Sequence, residues 1–197
     1  MTERTDDLDV VACTRCPELV ESRSRIVNGT GPADASIVFV GEGPGATEDA
    51  EGEPFVGRSG TVLDETLRTV GLSRSDVRIT NCVRCRPPEN RNPTATELDH
   101  CREYLDAELD ALDPSVIVPL GKVPSEHLLD RSVAVTTEAG SVETIRIAGT
   151  SRTLVISVHP AATLYDRSQS ATFEEAIRTA ADLAGEGVSD QSRLDGF

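Results

Sequence analysis

Thiols, a carboxylate-rich glycine loop, and two polar residues at the ends of apolar runs are the chemistry-bearing features of this sequence. The cysteines fall as Cys13-Thr-Arg-Cys16, Cys82-Val-Arg-Cys85 and Cys101. In an intracellular chain such grouping points to metal binding rather than to disulfides. Four soft thiolates suit zinc or a [4Fe–4S] cluster, and the spacing leaves both open. Joining residue 16 to residue 85 through a metal would pin an N-terminal arm to the core, a structural role with no chemistry at the metal.

The stretch GEGPGATEDAEGEPFVGRSG, Gly41 to Gly60, follows the apolar run Ser36-Ile-Val-Phe-Val40 and holds five acidic side chains. It is not a dinucleotide fingerprint. That motif needs spaced glycines leading straight into a helix, whereas here Glu42 sits in the turn, Pro44 lacks a donor and Ala46 takes the third-glycine place. The next clear helical pattern begins only near Gly60, and no Gly-Lys-Ser/Thr ending marks a nucleotide triphosphate loop. A phosphate would be repelled by the carboxylates. A planar, uncharged ligand fits a loop carrying one aromatic, Phe55, at the carboxyl end of a first strand; a loop that merely turns a corner is the plain alternative. Asn81 and His159 each end a later apolar run. Taken singly, an Asn there is as often a turn cap, and a lone His is usually structural. Arg84, Arg86 and Arg91, with Pro87 and Pro88, form the only dense basic island and are candidates to face phosphates, although such loops are elsewhere usually solvated surface.

The elements that must position these residues read as α/β. Apolar runs recur at Ser36–Val40, Val77–Thr80, Ser115–Leu120 and Thr153–Val158, with helical patterns between several of them. Gly60–Val70 reads as a helix capped by Ser59 and ended by Gly71. Thr94-Ala-Thr-Glu97 is a capping box that opens a helix reaching Leu112, before Asp113-Pro114. A third helix is expected over Ala171–Leu183, and a hairpin over Val133–Ile147. Residues 1–184 are expected to form one domain including the cysteine arm, and 185–197 a flexible polar tail.

Neither a 20-residue apolar run nor a basic, apolar leader is present, so the expectation is an intracellular protein with no membrane span. The net charge is −15, and a single lysine, Lys122, stands against eighteen arginines. Such an acidic surface ordinarily argues against nucleic acid, but at about 1 M salt the Debye length falls to about 3 Å and repulsion fades. A halophilic protein in a high-salt cytoplasm is therefore expected, with an ordinary acidic protein as the bland alternative.

With GEGPGATEDAEGEPFVGRSG, ITNCVRCRPPENRNPTATELDHC, VPLG and VHPAATL in this order, the chain resembles the family 4 uracil-DNA glycosylases, the iron–sulfur members of that superfamily. The resemblance spans Cys13 to Leu164. It implies a three-layer α/β/α fold around a short, mainly parallel sheet, and a structural [4Fe–4S] cluster on Cys13, Cys16, Cys85 and Cys101, with zinc as the alternative. Cys82 lies where relatives carry an aliphatic residue and stays outside the ligand set; His100 is a remote alternative ligand. Uracil flipped from DNA is planar with hydrogen-bond groups on its edge. Phe55 is expected to stack on it, and the backbone of Gly41, Glu42 and Gly43 to meet a uracil oxygen. Glu48 is expected to close the space beside C5, and Asn81 to read N3–H and O4. His159 is expected to donate to O2 as charge develops there. Glu42 is the carboxylate nearest to where better-known relatives carry a water-orienting aspartate. Arg84, Arg86 and Arg91 are the expected phosphate contacts, and Leu164 the wedge that fills the vacated stack. The expected activity is monofunctional excision of uracil from single- or double-stranded DNA by a monomer, with replication or repair proteins as further partners. The rival readings are a non-catalytic nucleic-acid-binding protein of the same fold, and a small iron–sulfur electron carrier.

Overall fold

A computed structural model describes residues 8–194, with 186–194 as backbone only. Five strands, β1 (Ile37–Gly41), β2 (Arg78–Asn81), β3 (Val116–Pro119), β4 (Val142–Ile147) and β5 (Thr150–Val155), form one sheet in the order β2-β1-β3-β5-β4. The first four in that order run parallel, and β4 is an antiparallel edge. Every residue of β1 is buried, as expected for a strand covered on both faces. Successive side chains alternate between those faces. Ile37 and Phe39 pack with Leu63, Leu67, Phe173 and Ile177, while Val38 and Val40 pack with Leu105, Leu109 and Leu128. The helices supplying these residues are α3 (Arg58–Thr69) and α8 (Ser168–Leu194) on one face and α4 (Ala95–Leu112) and α5 (Lys122–Leu129) on the other. The three-layer α/β architecture is therefore as the motifs imply.

The shorter helices are α1 (Pro17–Ser22), α2 (Ala46–Glu51), α6 (Val135–Glu138) and α7 (Ala162–Tyr165). Thr94 caps α4 with both halves of its capping box formed, and the helix stops at Asp113 in a left-handed conformation before Pro114. Four expectations change. Gly57, not Ser59, is the N-cap of α3, because the Gly57 N–H is taken by the Glu48 carboxylate at 2.9 Å and the chain turns helical from Arg58. A short helix, α2, starts directly after the glycine loop instead of the helical pattern waiting until Gly60. The hairpin lies at β4–β5, since α6 occupies part of 133–141. At the C-terminus α8 runs through Leu194, past the expected stop at Leu183. Gly185 is carried inside it at a cost of about 1 kcal/mol rather than ending it. The part of the expected tail at 195–197 lies outside the described residues.

The chain leaves β1 for β2 on one side and returns to β3 on the other. The carboxyl end of β1 is thus the switch point of the sheet, where open α/β folds leave a crevice for ligands. Gly41, Asn81 and His159 all sit at or just beyond strand ends on that edge.

Candidate active site

Gly41 and Asn81 are register partners at the ends of β1 and β2. A Cβ on Gly41 would stand 2.3 Å from Asn81 Oδ1 and 2.5 Å from Phe55 Cε2, so a bare backbone is what lets amide and ring close over the strand end. Phe55 is buried in a left-handed conformation with φ 55°, costly for an aromatic residue. Two features hold it there. Arg74 donates to the carbonyls of Phe55 and Pro54 while its Nε binds Asp64 at 2.7 Å, and a Cβ on Gly60 would lie 1.7 Å from the Phe55 oxygen. The Phe55 ring faces His159, with centroids 5.9 Å apart and planes tilted by 33°.

These residues enclose a cavity of about 280 Å³. Glu42, Gly43, Pro44 and Gly45 form one wall, Pro87, Asn90, Arg91 and Pro93 another, and Glu48, Phe55, Ser59, Asn81 and His159 complete it. Gly41 and Glu42 use their carbonyls to accept the N–H groups of Cys82 at 2.8 Å and Val83 at 3.1 Å. Among the described residues, the N–H groups of Glu42 and Gly43 donate to no backbone acceptor and remain free for a ligand. Glu42 is half-buried with its carboxyl pushed above the ordinary value by burial, which makes it a better proton acceptor. Glu48 is buried, and one carboxylate oxygen is fixed by Gly57.

Asn81 is 3 % exposed, and among the described residues its Oδ1 has no hydrogen-bond partner. Buried amides are nearly always satisfied, so an orphan at a cavity wall marks a place for a ligand. His159 is held differently. Its Nδ1 accepts the Ala161 N–H at 3.1 Å, and burial pushes its pKa below the ordinary value. The ring is therefore neutral near pH 7, and an Nδ1 that accepts leaves the proton on Nε2. The cavity thus contains a neutral imidazole donor, an unpaired amide, an aromatic ring and a half-buried carboxyl.

The basic island is not brought together as a phosphate-facing patch. Arg84 is buried and donates to Glu108 Oε2 at 2.8 Å, Asn28 Oδ1 at 2.7 Å and two backbone carbonyls, so it cannot contact DNA. Glu108, on α4, supplies the buried counter-charge that draws it inward. Arg86 is half-buried and binds Asn90 Oδ1 at 2.8 Å. Arg91 reaches the cavity wall, its guanidinium held by Glu97 and Glu18 at 2.8 and 2.9 Å. Leu164, 40 % exposed on α7, is followed by the still more exposed Tyr165. Asn90 and Pro93 carry no expectation from the sequence, and Pro87 only as a neighbour of the arginines, although prolines bounding the turn in PPENRNP are a signal for it.

Cys13, Cys16, Cys85 and Cys101 line a single small pocket with Arg23 and His100. Arg23 bridges it, donating to Cys85 Sγ at 2.9 Å and to the Cys13 carbonyl at 2.8 Å. His100 Nδ1 stands 3.4 Å from Cys16 Sγ. Burial raises the Cys16 and Cys85 thiols and pushes Cys101 up to about 11. Among the described residues no three donor side chains are gathered as a ready single-ion site. Cys82 is packed apart from these, in the core with Leu105 and Leu109.

Residues 28–181 match the family model of the uracil DNA glycosylase superfamily. The chain belongs to that superfamily. A type-4 uracil-DNA glycosylase from Archaeoglobus fulgidus is 37% identical over 189 residues, covering 93% of this chain and 94% of the relative. The Thermotoga maritima type-4 enzyme is 47% identical over 133 residues, 67% of this chain and 69% of its own. That from Saccharolobus solfataricus is 37% identical over 183 residues, 88% and 84% of the two chains. In this superfamily context the cavity at the switch point is the candidate active site. No helix among the described residues is long and apolar enough to cross a membrane.

Proposed function

We infer that this protein is a DNA repair enzyme, a monofunctional uracil-DNA glycosylase of the type-4 kind. The observation that carries this reading is the pairing, in one cavity, of an unsatisfied buried Asn81 with a neutral, Nε2-protonated His159. Uracil turned out of DNA enters against Phe55, its edge meeting Asn81 and its oxygen the free N–H groups of Glu42 and Gly43. Among the described residues no hydrogen bond fixes the Asn81 amide, so either edge can face the base until the ligand sets it. Glu48, with one oxygen anchored, closes the side of the pocket where thymine carries its methyl.

As the bond between N1 and C1′ breaks, its electron pair passes to the base and negative charge grows on O2. His159 Nε2–H donates to that oxygen, and because its donor is already oriented by Ala161 it needs no reorganisation. Water adds to C1′, and its proton passes to the Glu42 carboxylate, whose basicity burial has raised. The departing uracil anion takes up a proton at N1 and Glu42 gives up the one it received, so the products are free uracil and an abasic site. Arg86 remains a candidate phosphate contact, and Leu164 the wedge.

The donor set fits a [4Fe–4S] cluster, with zinc as the alternative: four thiols share one pocket, and Arg23 offers an N–H to a sulfur that would carry cluster charge. Cys13, Cys16, Cys85 and Cys101 would hold it, and it would supply a structural link with no part in the reaction. The protein as purified should be brown with about four irons per chain; colourless, active protein with one zinc would exclude this assignment. Replication or repair proteins as partners, a monomeric state and a high-salt cytoplasm belong to the same reading. The deciding experiment incubates the protein with oligonucleotides containing uracil, thymine or cytosine and cleaves abasic sites with alkali. Strand breaks only with uracil support the assignment, and none with uracil at low or molar salt would overturn it.

A further inference from the structure

The cavity wall between β2 and α4 is built under strain. Glu89 and Asn90 are consecutive non-glycine residues in left-handed conformations, with φ 54° and 56°. Such a turn persists only where its surroundings over-determine it. Arg86 secures one side through Asn90 Oδ1 at 2.8 Å. Arg91 secures the other with a fork of contacts. Its Nη1 and Nη2 each bind one oxygen of Glu97 at 2.8 Å, and Nη2 also binds Glu18 Oε2 at 2.9 Å.

The two carboxylates belong to the cysteine-bearing parts of the chain. Glu18 lies on α1, which begins directly after Cys16, and α1 touches the Pro88–Asn90 turn. Glu97 precedes Cys101 by one helical turn on α4, so the two share a face. Glu97 also accepts the Thr94 N–H at 2.7 Å, and its side chain is only 8% exposed, which makes it a rigid anchor. Its pKa is held down to about 2, chiefly by Arg91.

We propose that Arg91 is a positioning residue that couples the cysteine arm to the base cavity: its guanidinium, clamped by Glu18 and Glu97, fixes the strained Pro87–Pro93 wall. The guanidinium is thereby committed to two protein carboxylates and does not serve as a phosphate contact. The arm then has a task in addition to stability, since folding it over the core delivers Glu18 to the wall. The catalytic consequence rests on the uracil-DNA glycosylase reading above, but the mechanical one does not.

The test uses the full-length, metal-loaded protein and the variants Glu18→Gln and Arg91→Gln. Four quantities are measured: metal content, amide exchange across 88–92, the enzyme concentration giving half-maximal single-turnover excision of uracil, and the salt dependence of DNA binding. Glu18→Gln should keep its metal and its maximal excision rate, exchange faster across 88–92, and raise the half-saturating concentration by roughly two- to fivefold, the scale of a partly exposed ion pair. Arg91→Gln should exaggerate the exchange and the concentration effect, with an unchanged salt slope. If Arg91→Gln instead leaves exchange as in the parent and lowers the salt slope by about one, Arg91 is a direct phosphate contact and the proposal is wrong. Unchanged exchange in both variants would overturn it as well. A parent protein that excises no uracil would sink the glycosylase reading alone, because exchange and metal content are read without DNA.

Discussion

Two polar sites meet along one strand, and they are built on opposite principles. On one face of β2, Arg78 and Thr80 converge with Arg84 on Glu108. Arg78 Nε and Nη2 reach Glu108 Oε1 at 2.9 and 2.8 Å, while Thr80 Oγ1 and Arg84 Nη2 reach Oε2 at 2.8 Å each. Glu108 is wholly buried, and both of its oxygens are saturated. One residue beyond Thr80, Asn81 is buried almost as deeply with an oxygen that nothing satisfies. Burial of polar groups therefore does not distinguish structure from function in this molecule. What separates these two sites is satisfaction, although it is no general marker, since His127 Nε2, Arg152 Nε and Gln169 Oε1 are likewise unpartnered outside the cavity: the ion cluster has no capacity left for a ligand, whereas among the described residues the cavity has an amide, an imidazole donor and two backbone N–H groups in reserve.

The comparison is easiest to break at Glu108. Replacing it with Gln leaves two buried guanidiniums short of a counter-charge, and a loss of about 3–5 kcal/mol in urea-denaturation stability is expected. Asn81→Ala removes a group that is already unpaired, so it should cost far less stability. If Asn81→Ala proves the more destabilising of the two, the distinction between saturated and reserved polar groups fails.

On the catalytic side the next effect belongs to His159. His159→Ala removes the donor proposed to act as charge develops on the base, so single-turnover excision should slow by roughly 10²–10³-fold with little change in binding of uracil-containing DNA. Excision at the parental rate would remove His159 from the mechanism. Asn81→Asp sets a carboxylate against uracil O4 in a dry pocket and should depress uracil excision while shifting preference towards cytosine, whose edge is reversed. Unchanged rate and base preference in that variant would show that Asn81 does not read the base.

Much of this layout is legible in the sequence because it is local. The strand ends, the Thr94 capping box and the order of the motif blocks place Gly41, Asn81 and His159 on one sheet edge before any coordinates are known. Arg84 shows where local reading stops. Three arginines beside two prolines look like a surface loop, and only the packing of α4 brings Glu108 against Arg84 and converts a DNA contact into a core residue. The left-handed backbone of Phe55 was equally hidden, since it follows from Gly60 and Arg74, residues that meet it only after α3 and the next turn have folded. The same holds for the tautomer of His159, which depends on a backbone N–H rather than on a neighbouring side chain.

Salt sharpens the comparison with a smaller effect. The net charge of −15 resides largely on exposed groups, which screen readily, whereas the Glu108 cluster is closed to solvent. Melting temperature should rise with KCl up to molar concentrations, by the same increment in the parent and in Glu108→Gln. A melting temperature independent of salt would refute the proposal of a high-salt cytoplasm. A larger increment in the parent would mean that ions reach the buried cluster.

The smallest effect isolates His159 through pH. Its folded pKa lies below the ordinary 6.5, with burial the main cause and the Glu48 charge opposing it. The unfolded chain therefore takes up the proton first as pH falls, and the stability contributed by a neutral His159 is complete above about 6.5 and is lost below it until the folded pKa is reached. His127, also depressed by burial, adds a slope of the same sign, so the parent alone cannot assign the effect. Subtracting the curve of His159→Gln removes the His127 contribution, because that residue is present in both proteins. Urea-denaturation free energies at pH 7.5 and 5.5 should fall more for the parent than for His159→Gln. Equal falls would mean that His159 is as easily protonated in the fold as outside it, and burial would then not be what holds its imidazole neutral.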